Sequence, residues 1–256
     1  RAESLMKMPG SKLAGRLAGH ALEQFRPDSK AGQLGRGLGT LEHMYQTQYA
    51  LFSTGTLRRL LADSQALTAW GLDEERASGL AAEISPLSTL RGVTALESEI
   101  FLGDRLLRDM DSVSMAHSIE VRVPLVDTFL SDALSGLSDA DRYLPIGQKN
   151  LLRRQSQALL PDNFFSRPKR GFEFPMDSWM RGPLRGLIAE KLLDSEQCAA
   201  LGLRASEIAK IWQTFLDRPG AIYWTRPWAL FSLLQWASTN GVSCHGDGIW
   251  SRAAAG

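Results

Sequence analysis

The chain has 256 residues, of which 44% are hydrophobic and 22% are charged, and its formal net charge is +1. This composition is typical of a soluble globular protein and excludes an intrinsically disordered or membrane-embedded chain. The small net charge gives no support to nucleic-acid binding, so we expect neither a nucleic-acid partner nor a membrane partner.

Two cysteines, Cys198 and Cys244, are the only thiols of the chain. They form no Cys-x-x-Cys pair and have no histidine at a spacing typical of a zinc site, so we predict no metal site. Free thiols, and the lack of an apolar run long enough for a spanning helix or a signal peptide, favour a cytoplasmic protein. The chain begins with Arg1 rather than Met, so we expect a fragment of a longer polypeptide.

The N-terminal half predicts helices after an irregular start. Residues 1–40 are rich in Gly, Lys and Arg with little periodicity, and we expect this segment to be poorly ordered. From Leu41 the apolar residues recur at helical spacing and predict two helices separated by a break at Gly55. A further helix is predicted from Ser98 to about Val113, with its leucine face turned inward.

The C-terminal half also predicts helices, after one extended segment. Residues 119–125 alternate apolar and polar side chains, and Pro124 prevents a continuing helix. Asp127 is the predicted N-cap of the helix that follows. Pro227 is predicted to open the last helix. Helices are predicted at about 148–160, 183–193, 206–217 and 227–238. We therefore predict a mainly α domain over 41–240 and a flexible tail over 241–256.

Three sequence blocks occur in a specific order between residues 98 and 180. The first has an acidic helix end and then Ser114-Met115-Ala116 and Glu120-x-Arg122-x-Pro124-x-x-Asp127. The second contains Pro145, Lys149, Leu151-Leu152-Arg153 and Leu160-Pro161. The third is Arg167-Pro168-Lys169-Arg170-Gly171-Phe172, followed by Pro175 and Trp179. In this order the blocks resemble the glutamine-hydrolysing asparagine synthetase family.

The resemblance implies both a fold and a reaction. The chain would be the helical C-terminal portion of an α/β synthetase domain of the adenine-nucleotide α-hydrolase-like (ATP-pyrophosphatase) type. Members of the family use ATP and Mg²⁺ to convert the aspartate side chain to an acyl-adenylate, from which ammonia displaces AMP. The ammonia derives from glutamine in an N-terminal glutaminase domain. The implied partners are thus aspartate, ATP and glutamine-derived ammonia, with a homodimer formed through the full-length protein.

Two parts of such an enzyme do not occur in the 256 residues. One is the glutaminase domain, and the other is the pair of loops that hold the nucleotide, including the Ser-Gly-Gly-x-Asp-Ser pyrophosphate loop. Adenylation needs a cradle of backbone N–H groups and usually a metal ion for the triphosphate. We therefore expect this chain alone to hold no cofactor tightly, to bind ATP poorly and to perform no synthesis.

Lys149 is the predicted catalytic residue. It lies behind Pro145 and Gly147 near the start of a predicted helix, where the dipole and the free N–H groups favour an anion. By resemblance it corresponds to the family lysine that contacts the phosphates and stabilises charge as the acyl-adenylate forms or collapses. The alternative is a solvated surface lysine.

Arg122 and Lys169 are the candidates for binding substrate or phosphate. Glu120 and Arg122 share one face of the extended segment, and a buried ion pair that fixes the next turn is favoured over direct substrate contact. Lys169 lies in a basic loop whose Gly171 permits positive φ, and a structural loop is favoured over one that closes on a phosphate. Structural roles are predicted for the remaining motif residues, Asp111, Pro124 and Asp127.

Two other functions stay open at this point. A β-lactam or macrolactam synthetase would use the same activation chemistry with an internal amine in place of ammonia. A helical scaffold that has lost catalysis would explain the lack of a phosphate loop.

Overall fold

The computed structural model describes residues 40–63, 74–161, 164–167, 171, 173–244 and 250–252. These residues are mainly helical, as predicted. Their one sheet is an antiparallel pair of strands. No described helix is both long enough and apolar enough to cross a membrane.

The chain divides into two compact units. Unit 1 comprises residues 1–77 and 173–256, and unit 2 comprises residues 78–172. The boundary between residues 77 and 78 falls inside one helix, α3 (Glu74–Ile84). Unit 1 is therefore built from two parts of the chain that are far apart in sequence.

Unit 1 is a small helical bundle with a short strand pair. Its other helices are α1 (Leu41–Tyr49), α2 (Thr54–Leu60), α9 (Met176–Arg181), α10 (Arg185–Leu192), α11 (Ser195–Ala200), α12 (Ala205–Asp217) and α13 (Thr225–Asn240). Helix α10 packs against α12 and α13, which also contact each other. Strands β1 (Val242–Cys244) and β2 (Trp250–Arg252) lie in the segment for which the sequence predicts a tail.

The core of unit 1 follows from the apolar faces of α10, α12 and α13. In α12 the buried residues Ile208, Trp212 and Phe215 recur at helical spacing. The bounds of this helix agree with the predicted helix over 206–217 to within one residue. Helix α13 begins two residues before Pro227, and Gly241 ends it in the left-handed conformation, φ +60°. Burial of this apolar surface is the main stabilising contribution to unit 1.

Helix α2 is fixed to the distant part of unit 1 by backbone and side-chain hydrogen bonds. The Ala62 N–H donates to the Gly202 carbonyl at 2.8 Å, and the Arg204 N–H donates to the Leu60 carbonyl at 2.7 Å. The Arg204 guanidinium donates to the carbonyls of Arg58 and Ala62, each at 3.0 Å. The positive charge of Arg204 also interacts favourably with the dipole at the C-terminal end of α2.

Unit 2 is organised around one continuous helical segment. Helix α4 (Thr89–Leu96) runs without a break into a π-helix (Glu97–Leu107) and then into α5 (Arg108–Met115). The predicted helix over 98–113 is thus part of a longer one. A π-helix of 11 residues is unusual, since most are single turns inside α-helices and many occur at functional sites.

The rest of unit 2 consists of short elements. These are α6 (Thr128–Ser135), α7 (Asp139–Tyr143), α8 (Asn150–Ser156) and the 3₁₀ turns Gln157–Leu159 and Phe164–Ser166. Residues 119–125, predicted to be extended, are neither helical nor paired as a strand. Asp127 caps α6 as predicted, because its Oδ1 accepts a hydrogen bond from the Leu130 N–H at 2.9 Å.

Arg91 connects the helical segment of unit 2 to the α6–α7 turn. Its Nε donates to Asp139 Oδ1 at 2.8 Å, and its terminal nitrogens donate to the carbonyls of Ser135 and Leu137 at 3.0 and 2.6 Å. Ser88, the N-cap of α4, donates to the other oxygen of Asp139. These donors lower the pKa of the Asp139 carboxyl, with the Ser88 hydrogen bond as the largest cause.

Candidate functional site

Lys149 lies on the surface of unit 2, directly before α8. It is exposed, it is the N-cap residue of α8, and its backbone is left-handed with φ +49°. Its side chain makes no hydrogen bond or ion pair with the described part of the chain. A left-handed backbone costs a lysine roughly 1–2 kcal/mol, and residues held in this way are enriched at functional sites. The geometry therefore leaves the ammonium group of Lys149 open to a ligand.

The Glu120–Arg122 pair forms as predicted but is not buried. Arg122 Nε lies 2.9 Å from Glu120 Oε1, while the two side chains are 84% and 71% exposed. The prediction of a buried ion pair was wrong, because alternation shows that two residues share a face but not whether that face is covered. An exposed pair contributes at most about 1 kcal/mol to stability, so its side chains can exchange partners readily.

The other motif residues have structural positions. The Asp111 side chain is exposed, and its backbone carbonyl accepts a hydrogen bond from Ser114 Oγ at 3.2 Å. Pro124 begins the turn before α6, in which the Val126 N–H donates to the Val123 carbonyl at 2.9 Å. Gly171 is exposed. Lys169 lies outside the described residues. Among the described residues, Lys149 has no hydrogen bond or ion pair to Arg122 or Asp111.

The first motif block also lines a cavity of about 390 Å³ within unit 2. Leu125, Val126 and Asp127 form one wall, and Leu102 and Leu107 from the π-helix form another. Most of its lining is apolar, and Arg142 supplies the one basic side chain among its lining residues. Neither Lys149 nor Arg122 lines this cavity, so it does not bring the described motif residues together in one site.

Several large apolar side chains of unit 2 are exposed to solvent. They include Val113 (66%), Leu125 (72%), Phe129 (84%), Ile146 (72%) and Leu159 (83%). We call these five residues the exposed apolar set. Apolar side chains of this size lose unfavourable contact with water when another protein segment covers them.

Sequence reasoning missed several features of unit 2. The π-helix and the Arg91–Asp139 network follow from no motif, and the left-handed backbone of Lys149 is not signalled by its residue type, since glycine and asparagine are the usual residues there. Among the described residues, no group of three or more His, Cys, Asp or Glu side chains could hold a metal ion.

Comparison with known proteins identifies the class. The family model for asparagine synthase matches residues 6–238, which is most of the chain. The chain therefore belongs to the asparagine synthase family, and the resemblance inferred from residues 98–180 is confirmed.

The curated relatives carry matching names. The chain is 32% identical over 97 residues to asparagine synthetase [glutamine-hydrolyzing] 1 of Bacillus subtilis, which covers 36% of the chain and 15% of that protein. It is 28% identical over 157 residues to putative asparagine synthetases [glutamine-hydrolyzing] of Mycobacterium bovis and Mycobacterium tuberculosis, covering 60% of the chain and 24% of each relative. The matched part thus spans less than a quarter of these relatives. No solved structure matches the chain significantly.

Proposed function

We propose that these residues are part of an ATP-dependent synthetase that converts aspartate to asparagine with glutamine-derived ammonia. Family membership supports the class of reaction. The observation that carries the proposal for this chain is Lys149, whose backbone is left-handed inside a family block and whose side chain is exposed. A lysine fixed in this way is suited to bind an anion that approaches from solvent.

In the proposed reaction, an aspartate side-chain oxygen attacks the α-phosphorus of ATP and the bond to pyrophosphate breaks. Ammonia then attacks the acyl carbon, loses a proton, and AMP leaves with the electron pair of the acyl–oxygen bond. Lys149 would stabilise the negative charge that develops on phosphate oxygens in either step. Arg122 and Lys169 are proposed to contact substrate or phosphate, and the exposure of Arg122 is compatible with such a contact.

Mg²⁺ would accompany ATP in such a reaction and would screen the triphosphate charge. The described residues of this chain do not provide a matching set of carboxylate ligands. We therefore assign no step to the metal ion through these residues.

We further propose that the nucleotide-holding loops come from polypeptide outside these 256 residues and cover the exposed apolar set. The matched relatives are several times longer than the matched segment, which supports this assignment. The exposure of Leu125 and Phe129, at 72% and 84%, supports it independently. Burial of an apolar side chain of this size contributes about 1.5–3 kcal/mol, so such a contact would be favourable.

The test uses the complete reading frame that contains these residues, expressed as wild type, Lys149→Asn and Arg154→Gln. Asparagine tolerates the left-handed backbone, so Lys149→Asn removes the ammonium group with little strain. Arg154, an exposed cation on α8, provides the matched control for loss of one charge. We expect aspartate-dependent release of pyrophosphate from ATP, lowered roughly 100-fold in kcat by Lys149→Asn if the lysine stabilises the transition state, and unchanged in the control.

The products separate the alternatives. Formation of asparagine with glutamine or ammonium supports the proposal. Pyrophosphate release that requires a different carboxylic acid and no external amine would indicate a β-lactam or macrolactam synthetase instead. Failure of the complete protein to bind ATP in calorimetry would refute the synthetase assignment and favour a scaffold. Full activity of Lys149→Asn would refute the role of this lysine.

A further inference from the structure

Unit 1 contains a cavity whose described lining residues all lie outside the three family blocks. Its volume is about 500 Å³, which lies within the range of small-molecule sites. Helix α2 and the segment before it form one side, α12 forms another, and the start of α13 completes it. Phe52 and Ile222 provide apolar walls. The cavity therefore has space for an apolar group beside Phe52 and Ile222.

Positive charge predominates in this cavity. Among the described residues, Arg59, Lys210 and Arg226 line it together with one carboxylate, Glu207. Glu207 accepts a hydrogen bond from Lys210 Nζ at 2.5 Å, and its other oxygen lies 3.6 Å from Arg59 Nε. Three cations against one carboxylate leave two positive charges among these side chains. A cleft with this balance of charge attracts an anion.

Arg226 is held in place while its terminal nitrogens stay available. Its Nε donates to the Leu51 carbonyl at 2.8 Å, which fixes the plane of the guanidinium group. Within the described structure, neither terminal nitrogen of Arg226 has a hydrogen-bond partner. Two parallel N–H groups in this arrangement match the two oxygens of a carboxylate or phosphate.

We infer that this cavity is a binding site for a small organic anion whose carboxylate or phosphate group meets Arg226 and whose apolar body lies against Phe52 and Ile222. Lys210 and Arg59 contribute attraction at longer range, and Glu207 opposes it. The site is independent of the proposed synthetase chemistry, because it shares no residue with Lys149 or the family motif.

The experiment measures binding to the 256-residue chain by saturation-transfer NMR and calorimetry. Three probes share one phenylethyl group: 3-phenylpropanoate carries a carboxylate, 2-phenylethyl phosphate carries a phosphate, and 3-phenylpropanamide is neutral. The two anions distinguish which head group the site prefers. We expect either or both anions to bind and the amide to bind at least tenfold more weakly, since a hydrogen bond to a charged group accounts for roughly 10- to 100-fold in affinity.

Variants assign the binding to this cavity. Arg226→Gln should weaken binding of the anions roughly tenfold or more. Arg218→Gln, which removes an exposed positive charge from a residue that does not line the cavity, should leave the affinity unchanged. Glu207→Gln should increase the affinity because it removes the opposing carboxylate. Circular dichroism confirms that each variant is folded, and Lys210→Met, a change at an exposed side chain, replaces Arg226→Gln if that variant does not fold.

Each outcome decides the inference. Binding of an anion that falls with Arg226→Gln or Lys210→Met and rises with Glu207→Gln supports it. Equal binding of the neutral amide, equal affinity in Arg226→Gln and Arg218→Gln, or no binding of either anion at millimolar concentration overturns it. Loss of synthetase activity in Lys149→Asn has no bearing on these measurements, so the two proposals fail separately.

Discussion

Replacement of Arg204 by methionine tests how unit 1 is held together. The guanidinium group donates to three backbone carbonyls at the end of α2: Nη1 to those of Arg58 and Arg59 at 3.0 and 3.3 Å, and Nη2 to that of Ala62 at 3.0 Å. Methionine keeps most of the aliphatic stem and removes all of these hydrogen bonds.

The size of the effect follows from these contacts. Nη1 donates to the carbonyls of both Arg58 and Arg59, so we count these two contacts as one hydrogen bond and the Nη2 contact as a second. Each hydrogen bond contributes about 0.5–1.5 kcal/mol in an exposed position. Loss of a cation from the C-terminal end of α2 adds about 0.3–1 kcal/mol. We therefore expect Arg204→Met to lower the free energy of unfolding of unit 1 by about 1–4 kcal/mol.

Urea denaturation followed by tryptophan fluorescence measures this change. All seven tryptophans fall within the residue ranges of unit 1, so the signal reports on that unit. Arg218→Met is the control, since Arg218 is exposed and its side chain has no hydrogen bond within the described part of the chain. A second readout is amide exchange at Ala62, which should accelerate in Arg204→Met. Equal stabilities of Arg204→Met and Arg218→Met would refute the reasoning.

Three further predictions concern single residues. Ser118 has φ +56°, a left-handed backbone that strains serine but not glycine. Ser118→Gly should therefore raise the stability of unit 2 by about 0.5–1 kcal/mol, measured by thermal unfolding followed by circular dichroism. A lower stability would contradict this. Burial raises the pKa of the fully buried Cys198 thiol. A thiol reagent should therefore modify Cys244 in the native chain and Cys198 only on unfolding, with Cys198→Ser as the control. Equally fast reaction of both thiols would contradict this. The lowered pKa of Asp139 contributes stability to unit 2 that is present above the ordinary aspartate pKa and is lost as the pH falls below about 4. NMR titration should place the Asp139 pKa below that of an unperturbed aspartate, with Arg91→Met moving it upward; an ordinary value in the native chain would contradict the geometry.

Local sequence signals predicted much of the helical structure. The spacing of Ile208, Trp212 and Phe215 defines the buried face of α12, and the carboxylate of Asp127 caps α6 as its position before an apolar run indicated. Both features depend on residues within a few positions of each other. Such short-range preferences are readable without knowledge of the rest of the fold.

Features that depend on distant partners could not be predicted in this way. Arg204 bonds to a carbonyl 142 residues away, and no pattern around either residue indicates the pairing. The same limit explains the error at Glu120 and Arg122, whose spacing predicts contact but says nothing about what covers them. For the candidate site, the motif gave the identity of Lys149, whereas its left-handed backbone became visible only in the structure.

The separation of the two parts of unit 1 has a consequence during synthesis on the ribosome. Helix α2, with the core residue Leu60, emerges long before its partners, because Arg204 follows more than 140 positions later. At about 5–20 residues per second, this delay amounts to roughly 7–28 s. During that interval all of unit 2 emerges, and the apolar side chains of α2 lack their native packing partners. The nascent chain therefore carries exposed apolar surface until α12 has left the ribosome, and such surface favours aggregation.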